Sequence, residues 1–420
     1  MTSVKENGTI RLKYTYDSMG RLTREDNAYA NKTYVYTYTS NGNISAKKTY
    51  AYTTGTLGTV QTTETRAYGN SNWLDQLTNI NATAITYDSM GNPLNWHNAS
   101  AFTWEGRKLK SLTKMDGTVI SYAYDENGIR TGKTVGSESV RYILDGTRIL
   151  KEIRNAYTLT FLYDNSGTLI GFNYNNGTTS ADYYYGIDNF GNINYIYDNN
   201  GNIVTTYRYD AWGKAISTTG TLAGTVGAAN PYRYKSYYYD TETGLYYLQS
   251  RYYDAQVQRF VSPDMPELMG VSSGIYAYNL YTYCENDPVN NYDMFGFWII
   301  NLKTGTVAFA LDLILTVLAI GVAFFAPAKV LSWSRRVFSW AKRAFNTLIN
   351  KISYVLADSL DTIMYELLKK YNSVGKVRIS IGASAIAWFI STLIDLTPGN
   401  IVANLIDNFD KDGKSGYIRF

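Results

Sequence analysis

A five-residue pattern, Tyr-Asp-x-x-Gly, recurs along the first half of the chain and restricts its fold more than any other feature. The copies begin at Tyr16, Tyr87, Tyr124, Tyr163, Tyr197 and Tyr209. Aspartate caps a tight turn with its side chain, and glycine adopts the positive φ that closes the turn. The flanking segments alternate, as in residues 34–38 (YVYTY), which is typical of strands with two different faces. The pattern therefore predicts successive antiparallel β-hairpins.

Tyrosine is strongly over-represented, with 41 copies against 15 of phenylalanine. A tyrosine ring packs flat on a pleated surface while its hydroxyl stays in water, which suits strands. The turns rich in aspartate and asparagine also suggest calcium loops, but they lack the ligand count and the bidentate glutamate that such loops need. Residues 1–230 are therefore interpreted as a hairpin-repeat region with capped turns and with no metal or cofactor.

A second pattern lies in residues 231–297, which we call the core stretch. It is an ordered set of short motifs at residues 244–247 (GLYY), 251–254 (RYYD), 259–264 (RFVSPD), 276–278 (YAY), 286–288 (NDP) and 293–296 (DMFG). In this order and spacing the set resembles the rearrangement-hotspot (Rhs) core, the C-terminal end of the tyrosine–aspartate (YD) repeat family. With the repeats upstream, the resemblance covers roughly the first 297 residues and none of the remainder.

The resemblance implies a fold. In this family one long antiparallel sheet spirals into a hollow shell, and the core stretch forms a plug at one end. Since few hairpins are present, we expect an open or partial shell here. The predicted fold class is a mainly β repeat region, a partial Rhs/YD shell, followed by a small α-helical C-terminal domain. The predicted domains are 1–230 (repeats), 231–297 (core) and 298–420 (helical effector-like domain).

The resemblance also implies a chemistry. The family's core is an aspartyl autoprotease that cuts just after an Asp-Pro-x-Gly-hydrophobic sequence. By motif, the paired acids are Asp254 and Asp264, with Arg251 near enough to bias them, and the severed bond joins Phe297 to Trp298. Two carboxylates that share a proton can activate water and protonate the leaving group. The chain is at most an autoprotease in this region.

The alternative is that these acids only cap turns, like the other Tyr-Asp pairs of the chain. Four departures from the family pattern favour it. Ala255, Met265 and Met294 stand where the family usually has proline, and Gln258 stands where it commonly has glycine. The sequence leaves both interpretations open.

Scarce residue types exclude other chemistries. Cys284 is the only cysteine, so no intrachain disulfide can form. His97 is the only histidine and has no Cys, His or acidic partner at ligand spacing, so neither a metal nor a catalytic role is predicted for it. The tail after residue 297 therefore lacks the residues that zinc deaminases, Ser-His-Asp hydrolases and Cys-His enzymes require.

The tail is apolar and basic. Residues 307–326 (VAFALDLILTVLAIGVAFFA) carry one charge, Asp312, and are long enough to span a bilayer. Residues 333–352 place tryptophans on one face of a cationic helix, which suits an anionic membrane surface. Residues 379–396 form a second, shorter apolar stretch. For each helix the alternative is packing inside a folded domain, and Asp312, costly at membrane depth, favours that alternative for the first.

These observations lead to three hypotheses. The first is a polymorphic toxin whose β-shell carries a membrane-active effector, with a cognate immunity protein and the target-cell membrane as partners and no nucleic acid. It would be secreted or exposed at the cell surface, with its tail inserted in the membrane. The N-terminus has no apolar segment of a signal peptide, so another export route or a longer reading frame is expected. The second is a soluble tail enzyme such as a magnesium nuclease. The third is an adhesion protein with an inert, membrane-tethered tail.

Overall fold

The computed structural model of the protein describes residues 1–165, 167–264, 279–293 and 300–301. Its first sheet has eight strands, each paired antiparallel with its neighbours in sequence. They are β1 (Ser3–Glu6), β2 (Thr9–Tyr16), β3 (Leu22–Asn27), β4 (Lys32–Tyr38), β5 (Ile44–Ala51), β6 (Thr62–Ala67), β7 (Asn79–Ile80) and β8 (Thr83–Ala84). The sheet is thus a meander of consecutive hairpins.

A second meander has twelve strands. They are β9 (Ala99–Glu105), β10 (Lys108–Lys114), β11 (Val119–Tyr124), β12 (Arg130–Val135), β13 (Glu138–Asp145), β14 (Arg148–Ile153), β15 (Thr158–Tyr163), β16 (Leu169–Asn175), β17 (Ser180–Ile187), β18 (Ile193–Tyr197), β19 (Ile203–Tyr209) and β20 (Ala215–Thr219). The prediction of a mainly β repeat region built from antiparallel hairpins is confirmed.

The repeat turns share one geometry. In all six copies the glycine has φ between +79° and +91°, and its N–H donates to the aspartate carbonyl at 2.9–3.1 Å. In the five copies whose turn residues are all described, the carboxylate accepts the N–H groups two and four residues later, as Asp17 does from Met19 and Arg21 at 2.9 and 3.0 Å. Each turn is therefore closed by both the backbone and the aspartate side chain.

The tyrosine of the repeat has its own role. In five copies its hydroxyl donates to a backbone carbonyl of an earlier segment; Tyr124, for example, reaches Leu109 at 2.8 Å. In five copies the strand register also shifts beside this tyrosine. Such irregularities increase the local twist of a hairpin. In the four copies that have both features, at Tyr16, Tyr124, Tyr163 and Tyr209, the tyrosine thus ties a bent turn to an earlier part of the chain.

The core stretch lies against these sheets. It forms β21 (Tyr238–Asp240), β22 (Leu245–Tyr247), β23 (Tyr252–Asp254), β24 (Arg259–Phe260) and β25 (Asn291–Tyr292), with 3₁₀ turns at Tyr234–Ser236 and Cys284–Asn286; a π-helical turn, Ala223–Gly227, precedes it. Tyr253 is fully buried and stacks on Tyr283, with ring centroids 3.9 Å apart. An aromatic core therefore occupies this part of the fold.

The repeat turns hold the core stretch through their backbone. Side chains of the core stretch donate to the carbonyls of four turn glycines, at 2.7–2.9 Å; the pairs are Asn286 with Gly42, Tyr281 with Gly91, Ser236 with Gly191 and Tyr246 with Gly213. A buried carbonyl without a donor would destabilise the fold. The core stretch therefore supplies the hydrogen-bond donors that these turn carbonyls need.

The turn at Asp210 also joins the two sheets. The Ala211 N–H donates to the Glu25 carboxylate on β3 at 3.0 Å, and the Lys47 ammonium lies 3.5 Å from Asp210. Burial and the nearby Asp210 carboxylate raise the pKa of Glu25 to about 8. The raised pKa reflects the cost of placing two negative charges close together in a buried joint.

The predicted helical domain lies almost entirely outside the described residues. Of residues 298–420 only Ile300 and Asn301 are described. They form β26 (Ile300–Asn301), which pairs antiparallel with β25. Strand pairing from the core stretch thus continues past residue 297.

Two glycines that differ in their surroundings test the packing of the turns on the core stretch. Gly201 and Gly213 both have positive φ, but a Cβ on Gly201 meets nothing, whereas one on Gly213 clashes with the Tyr234 ring. Gly201→Ala should lower the free energy of unfolding by about 1 kcal/mol. Gly213→Ala should cost about 2 kcal/mol more, because the ring must move. Urea unfolding of both variants measures the difference, and equal losses would contradict this packing.

Candidate functional site

Arg251, one of the residues singled out by motif, is buried where three parts of the core stretch meet. Its side chain is 6% exposed. The guanidinium carbon lies 3.5 Å from the centroid of the Phe260 ring, and Nη1 donates to the Leu280 carbonyl at 3.0 Å. Stacking and hydrogen bonding together fix the guanidinium plane.

Two carboxylates converge on the other terminal nitrogen of Arg251. Nη2 lies 2.8 Å from Asp264 Oδ2 and 3.6 Å from Asp293 Oδ2. Because both oxygens neighbour one atom, their separation cannot exceed the sum of these two distances. The structure thus brings together Arg251, Asp264 and Asp293 from different parts of the core stretch.

The backbone positions both acids. The Asp264 N–H donates to the Leu280 carbonyl at 2.9 Å. The Tyr237 hydroxyl donates to the Asp293 carbonyl at 2.6 Å and lies 3.2 Å from the Asp293 N–H. Asp293 is 2% exposed at its side chain and Asp264 is 13% exposed. Asp293 is therefore buried, whereas Asp264 retains some contact with solvent.

Burial lowers the pKa of Arg251 below its ordinary value, although Asp264 and Asp293 oppose that shift. An arginine guanidinium nevertheless remains charged at any pH at which a protein folds. Its positive charge favours ionised carboxylates nearby, whereas the closeness of the two acids favours a proton on one of them.

Asp254, the other predicted acid, has a different set of contacts. Its Oδ1 accepts the N–H groups of Gln256 and Val257 at 2.8 and 3.1 Å. Its Oδ2 accepts from Trp96 Nε1 and contacts His97 Nε2, both at 2.8 Å. These four contacts occupy the acceptor capacity of a carboxylate. The structure thus places Asp254 as a turn cap joined to the repeat region, apart from the Arg251 group.

The contact between His97 and Asp254 could not be predicted from the sequence. His97 lies 157 positions from Asp254, so no local ligand spacing reveals the contact, and its being the only histidine was the sole available signal. Burial opposes a charged imidazole, but the Asp254 carboxylate outweighs this and raises the pKa of His97. Burial likewise opposes ionisation of Asp254, yet His97 and the hydrogen bonds from Trp96 and Gln256 lower its pKa.

Phe297 and Trp298, the residues of the predicted scissile bond, lie outside the described residues, as do the apolar stretches 307–326 and 379–396. Within the ranges that are described, no three or more His, Cys, Asp or Glu side chains are grouped so that they would hold a metal ion. In the same part of the chain, no helix combines the length and apolar character needed to cross a membrane.

A sequence model of the teneurin YD-shell family matches residues 2–289. Among curated proteins, the chain is 35% identical to the tRNA3(Ser)-specific nuclease WapA of Bacillus spizizenii over 235 residues, which is 54% of this chain and 10% of that protein. It is 27% identical to the double-stranded DNA deaminase toxin A of Burkholderia cenocepacia over 225 residues, which is 46% of this chain and 15% of that one. The chain thus spans only a small fraction of these relatives.

Among solved structures, the crystal structure of TcdB2-TccC3-Cdc42 superposes with a TM-score of 0.55 at 18% sequence identity. The match covers 68% of this chain and 15% of that one. At such low identity the likeness is one of fold.

The His97–Asp254 contact predicts a pH dependence of stability. Because the pKa of His97 is raised, the stability it contributes is fully present below the ordinary histidine pKa, about 6.5, and is lost as pH rises through the raised value. His97→Gln keeps a hydrogen-bond donor but cannot be charged, and should cost about 1 kcal/mol in the acidic part of this range. The measurement is the free energy of unfolding of wild type and of His97→Gln at several pH values. Other titrating groups such as Glu25 contribute equally to both proteins, so their contributions cancel in the difference. A difference that does not shrink with rising pH would contradict the assignment.

Proposed function

Because the chain belongs to the teneurin YD-shell family, we propose that it acts as a polymorphic toxin, in which residues 1–297 carry an effector formed by residues 298–420. The supporting observation is that the family match covers residues 2–289 and so ends before the proposed effector. Relatives that share part of the chain are named as a tRNA nuclease and as a DNA deaminase toxin. A carrier shared among toxins with different activities fits this division.

In this proposal residues 1–230 are the repeat region and residues 231–297 are the core that closes it. The core stretch contacts turns throughout the repeats, from Gly42 to Gly213. These contacts join the core stretch to turns of both sheets. We place the protein outside the producing cell or at its surface, and we assign it a cognate immunity protein as partner.

We further propose that the core releases the effector by cutting its own chain between Phe297 and Trp298. The observation that supports this is the convergence of Asp264 and Asp293 on one nitrogen of Arg251. The ionised acid of the pair takes a proton from the attacking water, and the protonated acid gives its proton to the leaving amine. Arg251 acts as the positioning residue that keeps both acids in place. Asp254, with its acceptor sites occupied, caps a turn.

Self-cleavage is tested with three matched asparagine variants of the full chain. Asp264→Asn and Asp293→Asn should each slow the appearance of a fragment beginning at Trp298 by about a hundredfold or more, because each removes one member of the acid pair. Asp254→Asn should still cut, with lower stability. Gel electrophoresis and N-terminal sequencing of the fragment provide the measurement.

Two results of that experiment would contradict the proposal. An uncut wild-type chain would exclude self-cleavage, and cleavage that depends on Asp254 and Asp264 but not on Asp293 would restore the pair implied by motif. Circular dichroism of each variant shows whether a loss of cleavage only reflects a loss of fold.

For the effector we propose a membrane-active domain. Residues 307–326 and 379–396 are apolar, and the tail carries 14 Lys and Arg against 8 Asp and Glu without any His or Cys. A basic apolar segment binds anionic bilayers through both its charge and its buried area. The names of the relatives favour a second candidate, an enzyme that acts on nucleic acid, which would have to rely on the acids and lysines of the tail.

One assay separates the two candidates. The purified full chain is added to dye-filled vesicles containing anionic lipid and, separately, to total tRNA and double-stranded DNA. A membrane-active tail should release dye, more at low salt because screening weakens the attraction of basic residues to anionic lipid, and should leave the nucleic acids intact. Deletion of residues 298–420 should abolish release. Degradation or deamination of nucleic acid by intact chain, with no dye release, would overturn the membrane proposal in favour of the enzyme.

A further inference from the structure

A second arginine, Arg107, contacts the segment that carries Asp264. It lies in the turn between β9 and β10, where the neighbouring Gly106 has φ +60°. Its Nη1 donates to the Pro263 carbonyl at 3.1 Å and also to the Asp264 carbonyl. A hydrogen bond from a charged donor is roughly twice as strong as one between neutral groups. Asp264 is therefore held at its carboxylate by Arg251 and at its backbone by Arg107.

The turn that carries Arg107 is fixed by a neighbouring repeat turn. Asn92, which is fully buried, directly follows the glycine of the repeat copy that begins at Tyr87. Its Nδ2 donates to the Gly106 carbonyl at 2.9 Å and to Asp88 Oδ2 at 2.8 Å. Asp88 closes the repeat turn by accepting the Asn92 N–H at 2.9 Å. The position of Arg107 thus depends on a folded repeat.

The same repeat turn supports the other backbone contact of Asp264. The Leu280 carbonyl accepts the Asp264 N–H at 2.9 Å and Arg251 Nη1 at 3.0 Å. The next residue, Tyr281, is 1% exposed and donates its hydroxyl to the Gly91 carbonyl of this turn at 2.7 Å. One repeat turn therefore supports both backbone contacts of Asp264, the one at its carbonyl and the one at its N–H.

These contacts matter because Asp264 lies outside the strands. β24 ends at Phe260, so strand pairing does not hold the acid in place. Its carboxylate lies 2.8 Å from Arg251 Nη2, the atom that Asp293 also approaches. Misplacement of a catalytic group by about 1 Å can cost about a hundredfold in rate. A donor that holds the backbone at Asp264 therefore acts on the geometry of the acid pair.

We propose that Arg107 is a positioning residue for self-cleavage, and that through it the acid pair reaches its working geometry only when the core stretch has docked on the repeats. The inference rests on the proposed self-cleavage between Phe297 and Trp298. Arg107 acts through the backbone of residues 263–264 and takes no part in proton transfer. A chain whose repeats have not folded would then be unable to cut itself, so the effector would leave only a completed carrier.

The test compares matched variants of the full chain. Each is labelled by a short pulse of cell-free synthesis and diluted into buffer, where the fragment beginning at Trp298 is followed over time on gels. Arg107→Met keeps the length of the side chain without its donors and should slow cleavage about tenfold or more at neutral pH. Arg107→Lys keeps a charged donor and should cut within about threefold of the wild-type rate.

Arg148→Met is the control. It makes the same substitution in the turn between β13 and β14, where Gly146 has φ +61°, close to that of Gly106. Arg148 pairs with Asp145 at the surface, so this variant should cut at the wild-type rate. Resistance to limited proteolysis checks the fold of each labelled chain. Should Arg107→Met not fold, Arg107→Gln, which has no charge, replaces it with the same expected direction.

The pH profile of cleavage separates positioning from a general loss of stability. If Asp264 moves away from Arg251, the ionised form of the acid pair is less favoured. The rate should therefore begin to fall at a higher pH in Arg107→Met than in wild type as the buffer is made more acidic. A general loss of stability lowers the rate alike across the profile, and that result would overturn the inference.

Two further outcomes distinguish this inference from self-cleavage itself. Cleavage of Arg107→Met at the wild-type rate would refute the role of Arg107 while leaving self-cleavage in place. A wild-type chain that stays uncut would refute self-cleavage and, with it, the role assigned to Arg107.

Discussion

Burial of Asp240 between Arg130 and Lys133 is the contact on which the docking of the core stretch depends. Its two carboxylate oxygens lie 2.5 and 2.7 Å from the two cations, and all three side chains are at most 1% exposed. Removing one partner of such a buried pair typically costs about 3–5 kcal/mol, because a charge is left without compensation. Since β21 carries the acid and β12 carries both cations, only one register of the core stretch on the second sheet satisfies all three charges.

The repeat fold followed from the sequence because its determinants are local. An aspartate that accepts its own turn's N–H groups and a glycine at positive φ act within five residues, so their spacing alone predicts the hairpin. One more turn has the same geometry without the full sequence pattern. Asp188 accepts from Phe190 and Asn192, and Gly191 has φ +82°, but Ile187 stands where the repeat has tyrosine. The turn needs only aspartate and glycine, and the tyrosine serves contacts between hairpins.

The candidate site was only partly predictable. Motif resemblance identified Arg251 and Asp264, which do meet, because both lie in one short segment whose pattern is distinctive. It could not show that Asp254 and Asp293 have different contacts, since these depend on which distant side chains fold against each acid. Trp96 and His97 arrive from the repeat region and saturate Asp254. A contact that spans 157 positions leaves no periodicity in the sequence from which it could be read.

At Gln258 the chain departs from the family pattern, and hydrogen bonds of the side chain offset the cost of its backbone conformation. This residue stands where the family commonly has glycine, and its φ is +57°, a conformation that costs a side chain about 1–2 kcal/mol. Its amide compensates: Nε2 donates to the carbonyls of Ala255 and Gln256 at 2.8 and 2.7 Å, and Oε1 accepts from Arg66 on β6. These bonds hold the turn that Asp254 caps and tie it to the first sheet. A side chain at this position therefore stabilises the turn through hydrogen bonds that glycine could not make.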